Sequence, residues 1–199
     1  MHPELYFIYD SHCPWSYATT PLVNALSDSF PELEVHNWHC AHYDGSDCAG
    51  FSQIKAAEKQ SGQTFGQEHI RFADSPKNAI LTANFMAWLQ DKQPEKVLPI
   101  LNALQKEHFV EGNPFGCKRD FNTLVAQFKL SPPNKVFKEV LSNEALYQQS
   151  DIQELQAFMQ NSAFPALLLT YGDNAILLEH ASYLNKPQDL VKVVKKLLA

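Results

Sequence analysis

The residues best suited to chemistry are Cys13-Pro14-Trp15-Ser16, with His12 immediately before them. A cysteine placed just ahead of a helix is a candidate nucleophile. The unpaired N–H groups of a helix N-terminus favour an anion, and a thiolate there can fall from ~8.5 to roughly 3.5–7.5 in pKa. Protonated His12 would help in the same direction. Ser16 stands where a Cys-x-x-Cys pair would have its second sulfur. It cannot resolve a mixed disulfide, but its hydroxyl can donate to the thiolate. The competing reading is a buried cysteine that packs as a small apolar residue.

Other candidates are weaker. Cys40, Cys48 and Cys117 have no spacing that brings them to Cys13. His36, His39, Cys40, His42 and Cys48 match no standard zinc pattern and read as the polar end of a strand, so no metal site is expected. Asp10 is either a buried carboxylate behind the thiol or a plain strand-end residue. Trp15, Tyr17, Trp38 and Tyr43 suit core or site-wall positions. Lys118 and Arg119 suit solvated surface, with a ligand carboxylate as the alternative.

The elements around the motif follow from its neighbours. Leu5–Tyr9 is a short apolar run ended by Asp10-Ser11, which predicts a buried strand. Pro14 fits the first helical position, and Tyr17, Ala18, Leu22, Ala25 and Leu26 carry helical spacing up to Phe30-Pro31. Leu33–Trp38 alternates and predicts a second strand, making a β-α-β opening with a crossover helix. From Phe51 to Ala157 the pattern is helical, with predicted helices over Ala79–Gln90, Pro94–Lys106, Phe121–Phe128, Asn134–Ser142 and Ile152–Gln160. The end returns to strand: Pro165–Tyr171, a Gly172-Asp173-Asn174 turn and Ala175–Glu179 predict a hairpin, and Lys186–Leu198 a closing helix. Ala163-Phe164-Pro165 stands immediately before that hairpin.

The fold class this predicts is α/β: a thioredoxin fold (βαβ…ββα, mixed four-stranded sheet) with a large all-helical insertion. Residues 1–48 and 162–199 form the thioredoxin-fold domain, and 49–161 the helical insertion. The chain's 199 residues, 45% hydrophobic and 19% charged, suffice for one sizeable core. A formal charge of −6, with no Lys or Arg before Lys55, argues against nucleic acid as a partner. No apolar run is long enough to predict a membrane span, and no targeting segment is recognisable. The expected compartment is therefore cytoplasmic, with free thiols.

The sequence resembles the DsbA-like thioredoxin superfamily, specifically its cytoplasmic predicted protein-disulfide isomerase branch. That branch lies near FrnE-type proteins, kappa-class glutathione transferases and 2-hydroxychromene-2-carboxylate isomerases. The segments that carry the resemblance are LYFIYDSHCPWSYATTPLV, SGQTFG, FADSPKNA, FVEGNP and SAFPALLL. The resemblance implies that Cys13 is the nucleophile and that Pro165 is a cis-proline facing it. Phe164 would then offer main-chain groups to an extended peptide or to glutathione. Cys13 and Ser16 are thus the catalytic candidates, and His12, Pro14, Trp15, Phe164 and Pro165 the substrate-binding ones. The implied function is thiol–disulfide oxidoreduction or isomerisation through a single cysteine. The implied partners are a protein or small-molecule disulfide or glutathione, with no tightly bound cofactor and glutathione as the co-substrate. Ser16 departs from the Cys-Pro-Trp-Cys of the isomerase branch and approaches the Ser-Pro-Tyr-Ser of the kappa-like branch. A kappa-like glutathione transferase or glutathione-dependent isomerase, and a non-catalytic thioredoxin-fold binding module, are the alternatives.

Overall fold

A computed structural model describes residues 2–199. Strand β1 (Glu4–Tyr9) leads into α1 (Pro14–Ser29) and back into β2 (Glu34–His39). β2 runs parallel to β1, with Glu4 opposite Glu34 and Tyr9 opposite His39. Beyond it come β3 (Asp44–Asp47), α2 (Gly50–Ser61), α3 (Gln67–Arg71), β4 (Lys77–Asn78), α4 (Ile80–Lys92) and α5 (Pro94–Phe109). Then follow α6 (Asn122–Gln127), α7 (Asn143–Met159), β5 (Ala166–Tyr171), β6 (Asn174–Leu177) and α8 (Pro187–Leu197). β5 pairs antiparallel with β1 and β6 antiparallel with β5, so the sheet order is β2-β1-β5-β6. This is the mixed four-stranded sheet that the sequence predicts.

The alternation of β1 decides which helices it holds. Leu5, Phe7 and Tyr9 point into the large apolar cluster with Leu22 and Leu26 of α1, Leu190 and Val194 of α8, and Leu167 and Leu169 of β5. Ile8 points to the other face, where with Ala166 it meets Ile152, Leu155 and Met159 of α7. The large cluster runs on without a break into Phe85, Met86 and Leu89 of α4 and Ile100, Leu101 and Leu104 of α5. Leu22 and Leu26 thus tie α1 into a core shared by the sheet and the helices α4 and α5.

Two expectations are corrected. The segment 49–161 is not all-helical: Lys77–Asn78 forms a short antiparallel ladder with Asp44–Asp47. The residues Asp44-Gly45-Ser46-Asp47 are all exposed and carry no alternation, so nothing in the pattern announces a strand. The predicted helix over Asn134–Ser142 is a single 3-10 turn, Asn134–Phe137. The following helix starts at Asn143 rather than Ile152, because the Ser142 hydroxyl accepts from the Ala145 N–H at 3.2 Å and caps it there. No described helix is long and apolar enough to cross a membrane.

Candidate active site

The end of β1 turns sharply into α1. The Cys13 N–H donates to the Asp10 carbonyl at 3.1 Å, and the Cys13 carbonyl accepts the first helical bond, from Tyr17, at 3.0 Å. Cys13 is thus the N-cap of α1, and Pro14, whose missing N–H costs nothing there, is the first helical residue. The thiol is only 5% exposed and packs among Tyr43, Ala79, Trp15 and Phe164. The Phe164–Pro165 peptide bond is cis. The Phe164 ring also lies tilted against that of His42, 4.7 Å between centroids.

Asp10 and Ser16 sit behind the thiol, both fully buried. The Asp10 carboxylate accepts from the His12 N–H at 2.8 Å and from the Tyr43 N–H at 3.1 Å, while its own N–H donates to Ser16 Oγ at 3.2 Å. Of the two readings of Asp10, the buried carboxylate is the one the structure shows. Burial pushes its pKa up to about 6, against the pull of those two N–H donors.

The thiol itself departs from the sequence expectation. Burial, with a further contribution from the Asp10 charge, pushes Cys13 up to about 11. The N–H groups of Ser16 and Trp15 and the Ser16 hydroxyl favour the thiolate but do not outweigh burial. The helix terminus acts on Cys13 as predicted; desolvation is the larger effect. His12 gives no cationic help, since burial lowers it to about 4 and leaves it neutral.

His12 turns away from the thiol. Its Nε2 lies 3.2 Å from the Pro114 carbonyl, its Nδ1 3.0 Å from Ser11 Oγ, and its ring centroid 4.0 Å from that of His108, the two rings tilted at 51°. Trp15 faces outward, donating from Nε1 to Gln53 at 2.7 Å, and Pro14 is buried beside Cys13. The structure therefore gathers Cys13, Trp15 and Phe164 on one side and leaves His12 on another.

The histidine and cysteine group of residues 36–48 is scattered. His36 lies by Glu4, His39 bonds Ser11, Cys40 packs against the cluster of Ile8, Ile152 and Ala166, and the His42 ring lies tilted against that of Phe164. Cys40 feels the Cys13 charge, while burial is the main cause of its raised pKa. All four cysteines are free. Lys118 and Arg119 are exposed, and Lys118 donates to Asn134. The sequence reading passed over Ser11, His69, Lys77, Thr82 and His108. Ser11 and Thr82 share a buried hydrogen bond of 2.8 Å directly behind the turn. The nearest signal for Lys77 was its place in FADSPKNA.

No protein-family model matches the chain, and no curated protein matches it by sequence. Solved structures do. The cytosolic disulfide reductase DsbM from Pseudomonas aeruginosa superposes with a TM-score of 0.83 at 18% identity, over 98% of both chains. Its structure with GSH gives a TM-score of 0.81 over the same shares at 18% identity. A candidate protein disulfide isomerase from Nitrosomonas europaea gives 0.73 at 18% identity, over 98% of this chain and 99% of that one. At such identities the likeness is one of fold: this chain has the DsbA-like elaboration of the thioredoxin fold.

Proposed function

We propose that this chain is a thiol–disulfide oxidoreductase that works through Cys13 alone and resides in the cytoplasm. The observation that carries the reading is the placement of Cys13 at the N-cap of α1, packed against Phe164. It is supported by a fold shared, end to end, with a cytosolic disulfide reductase. The thiolate of Cys13 attacks one sulfur of a disulfide R–S–S–R′. A Cys13–S–S–R bond forms, and R′S⁻ leaves with the electron pair of the broken bond. With Ser16 in place of a resolving cysteine, an external thiolate then attacks the mixed disulfide, expels the Cys13 thiolate and restores the enzyme. Glutathione is the natural external thiol, as a DsbM structure was solved with GSH. The Ser16 hydroxyl and the Trp15 and Ser16 N–H groups hold the thiolate each time it is released. Residues 1–48 and 162–199 carry the thiol and, through Trp15, Tyr43 and Phe164, most of the wall around it, while 49–161 adds Ala49 and Ala79.

The test is mass spectrometry of the native protein after treatment with oxidised glutathione. One glutathione adduct on Cys13, released by dithiothreitol, is expected. An adduct on Cys40, Cys48 or Cys117 but not on Cys13, or glutathione held without a covalent bond, overturns the reading.

A further inference from the structure

Resolution by an outside thiol makes a demand that Cys13 alone does not meet. The attacking species is a thiolate, and a thiol of pKa ~8.5 is only about 3% ionised at pH 7. A base that ionises it in place can therefore speed this step by at most about thirtyfold.

The groups around the turn narrow the choice of base. Asp10 lies behind the thiol and is fully buried. His12 and His39 are buried and held neutral, lowered to about 4 and about 3, and neither opens to solvent. The wall around Cys13 consists of Trp15, Tyr43, Ala49, Ala79 and Phe164, and no side chain among them accepts a proton at neutral pH. His42, in the loop after β2, is different. Its ring centroid lies 4.7 Å from that of Phe164, tilted at 47°, and 5.0 Å from that of Tyr43, edge-on at 85°. Both of those rings pack in the Cys13 cluster. The residue is exposed, and among the described residues no ion pair or hydrogen bond holds its imidazole, which rests on the two aromatic rings alone. It is thus an open imidazole on the outer side of the wall that covers the thiol.

The chain is bent to put it there. Ala41, immediately before it, has a φ of +47°, in the left-handed region that a Cβ disfavours. Two hydrogen bonds hold the bend: the Cys40 N–H donates to the Tyr9 carbonyl at 2.7 Å, and the Ala41 N–H to His39 Nδ1 at 3.0 Å. A disfavoured conformation kept beside a reactive turn points to a use for the residue it aims. The charged and titratable groups around His42 are Asp10 at the end of β1, Asp44 in β3, and Cys40 and Tyr43 beside it in the chain; the 163–165 segment adds none. A positive charge on His42 acts on both carboxylates, which favour the imidazolium formed when the ring takes a proton.

We propose that His42 is the general base of the resolving step, a role that rests on the single-cysteine exchange reading. The incoming RS–H gives its proton to the neutral imidazole. The RS⁻ so formed attacks the partner sulfur of Cys13–S–S–R′. An RS–SR′ bond forms, the bond to Cys13 breaks, and Cys13 leaves with the electron pair as a thiolate. The proton passes from the imidazolium through solvent to that thiolate, which at about 11 holds it, and the imidazole is restored.

The test starts from the Cys13–glutathione adduct, made with oxidised glutathione in the wild type and in His42→Gln and His42→Asn. Release of Cys13 at pH 7 is followed by mass spectrometry after acid quench. Three resolving thiols are compared: reduced glutathione and 2-mercaptoethanol, both largely protonated there, and 4-mercaptobenzoate, which is already ionised. The two variants should slow release by the first two about tenfold, leave release by 4-mercaptobenzoate unchanged, and recover part of the loss on addition of free imidazole. Circular dichroism confirms that each variant is folded. Equal slowing with all three thiols means that His42 only shapes the wall, slowing with glutathione alone means that it binds a carboxylate, and either result, or no slowing, overturns the proposal. Failure of the wild type to form the Cys13 adduct sinks the exchange reading itself, at a step before His42 is asked to act.

Discussion

His12 and Cys13 are neighbours in the chain, yet they serve opposite sides of the turn. The thiol packs on Tyr43, Ala79 and Phe164, while the imidazole lies tilted against the His108 ring, 4.0 Å between centroids. The rotation comes from the turn itself, in which Asp10 accepts from the His12 N–H and the Cys13 N–H returns to the Asp10 carbonyl. One short turn thus holds a candidate nucleophile on one side and a buried, neutral imidazole on the other.

Asp10 should restrain Cys13. Its charge and burial both favour the protonated thiol, which lies at about 11. Asp10→Asn removes the charge, so iodoacetamide should alkylate Cys13 severalfold faster at pH 8, with the rate profile moved to lower pH. Peptide mapping of the alkylated protein gives the rate for each cysteine. A profile that coincides with the wild type would show that Asp10 does not govern the thiol.

Ser16 marks the missing sulfur. It lies on the first turn of α1, one helical turn from Cys13, and cysteine differs from serine by one atom. Ser16→Cys should therefore form a disulfide with Cys13 under oxidising conditions and reduce insulin through a dithiol cycle. Wild type should stall as mixed disulfides until a thiol is added. Equal turnover of the two proteins without added thiol would mean that another cysteine, with Cys40 foremost, resolves Cys13.

The sheet and the thiol turn were legible because each rests on local pattern. LYFIY is apolar throughout, Pro14 opens a helix with clear spacing, and PALLLTY-GDN is a hairpin. Local pattern also pointed to the helix-terminus effect on Cys13, but the burial that outweighs it comes from Tyr43, Ala79 and Phe164, which only the tertiary fold brings together. His69, Lys77 and His108 were illegible for the same reason, since each is an unremarkable residue until α3, β4 and the end of α5 converge. β4 was missed because two residues cannot show a period.

Acid should destabilise the fold through its buried imidazoles. Burial lowers His12 and His69 to about 4 and His39 to about 3, and His108 falls well below 6.5. Below pH 6.5 the unfolded chain takes up protons at these four sites while the folded chain does not, so stability falls as the pH falls. Asp10 works the other way, because it is raised to about 6 and so favours the folded state as the pH drops through that value. Four groups outweigh one. Urea unfolding should show stability dropping between pH 6.5 and 4.5 more steeply than the roughly 1.4 kcal/mol per pH unit of a single group. A flat or rising profile in that window would contradict the burial of the imidazoles.

Two glycines separate backbone strain from contact. Gly62 and Gly112 both have positive φ, +73° and +80°, but a Cβ on Gly62 meets nothing within 4 Å. Gly62→Ala should cost only the left-handed backbone term, about 1–2 kcal/mol. Gly112→Ala should cost clearly more, because its methyl would also meet Glu68 Cβ at 2.7 Å. Thermal midpoints of the two variants decide the matter, and equal losses would mean that α3 and the segment after α5 are loosely apposed.

β1 takes its parallel partner β2 from early in the chain and its antiparallel partner β5 from the last fifth. During synthesis the central strand therefore stays open on one side until Ala166–Tyr171 has left the ribosome. The cover over Cys13 has the same schedule, since Tyr43, Ala79 and Phe164 are made in that order after it. The nascent thiol spends most of its translation time as an ordinary exposed cysteine, open to adventitious oxidation. For this protein, slow elongation, or a pause before Phe164, is a redox hazard as well as a folding one.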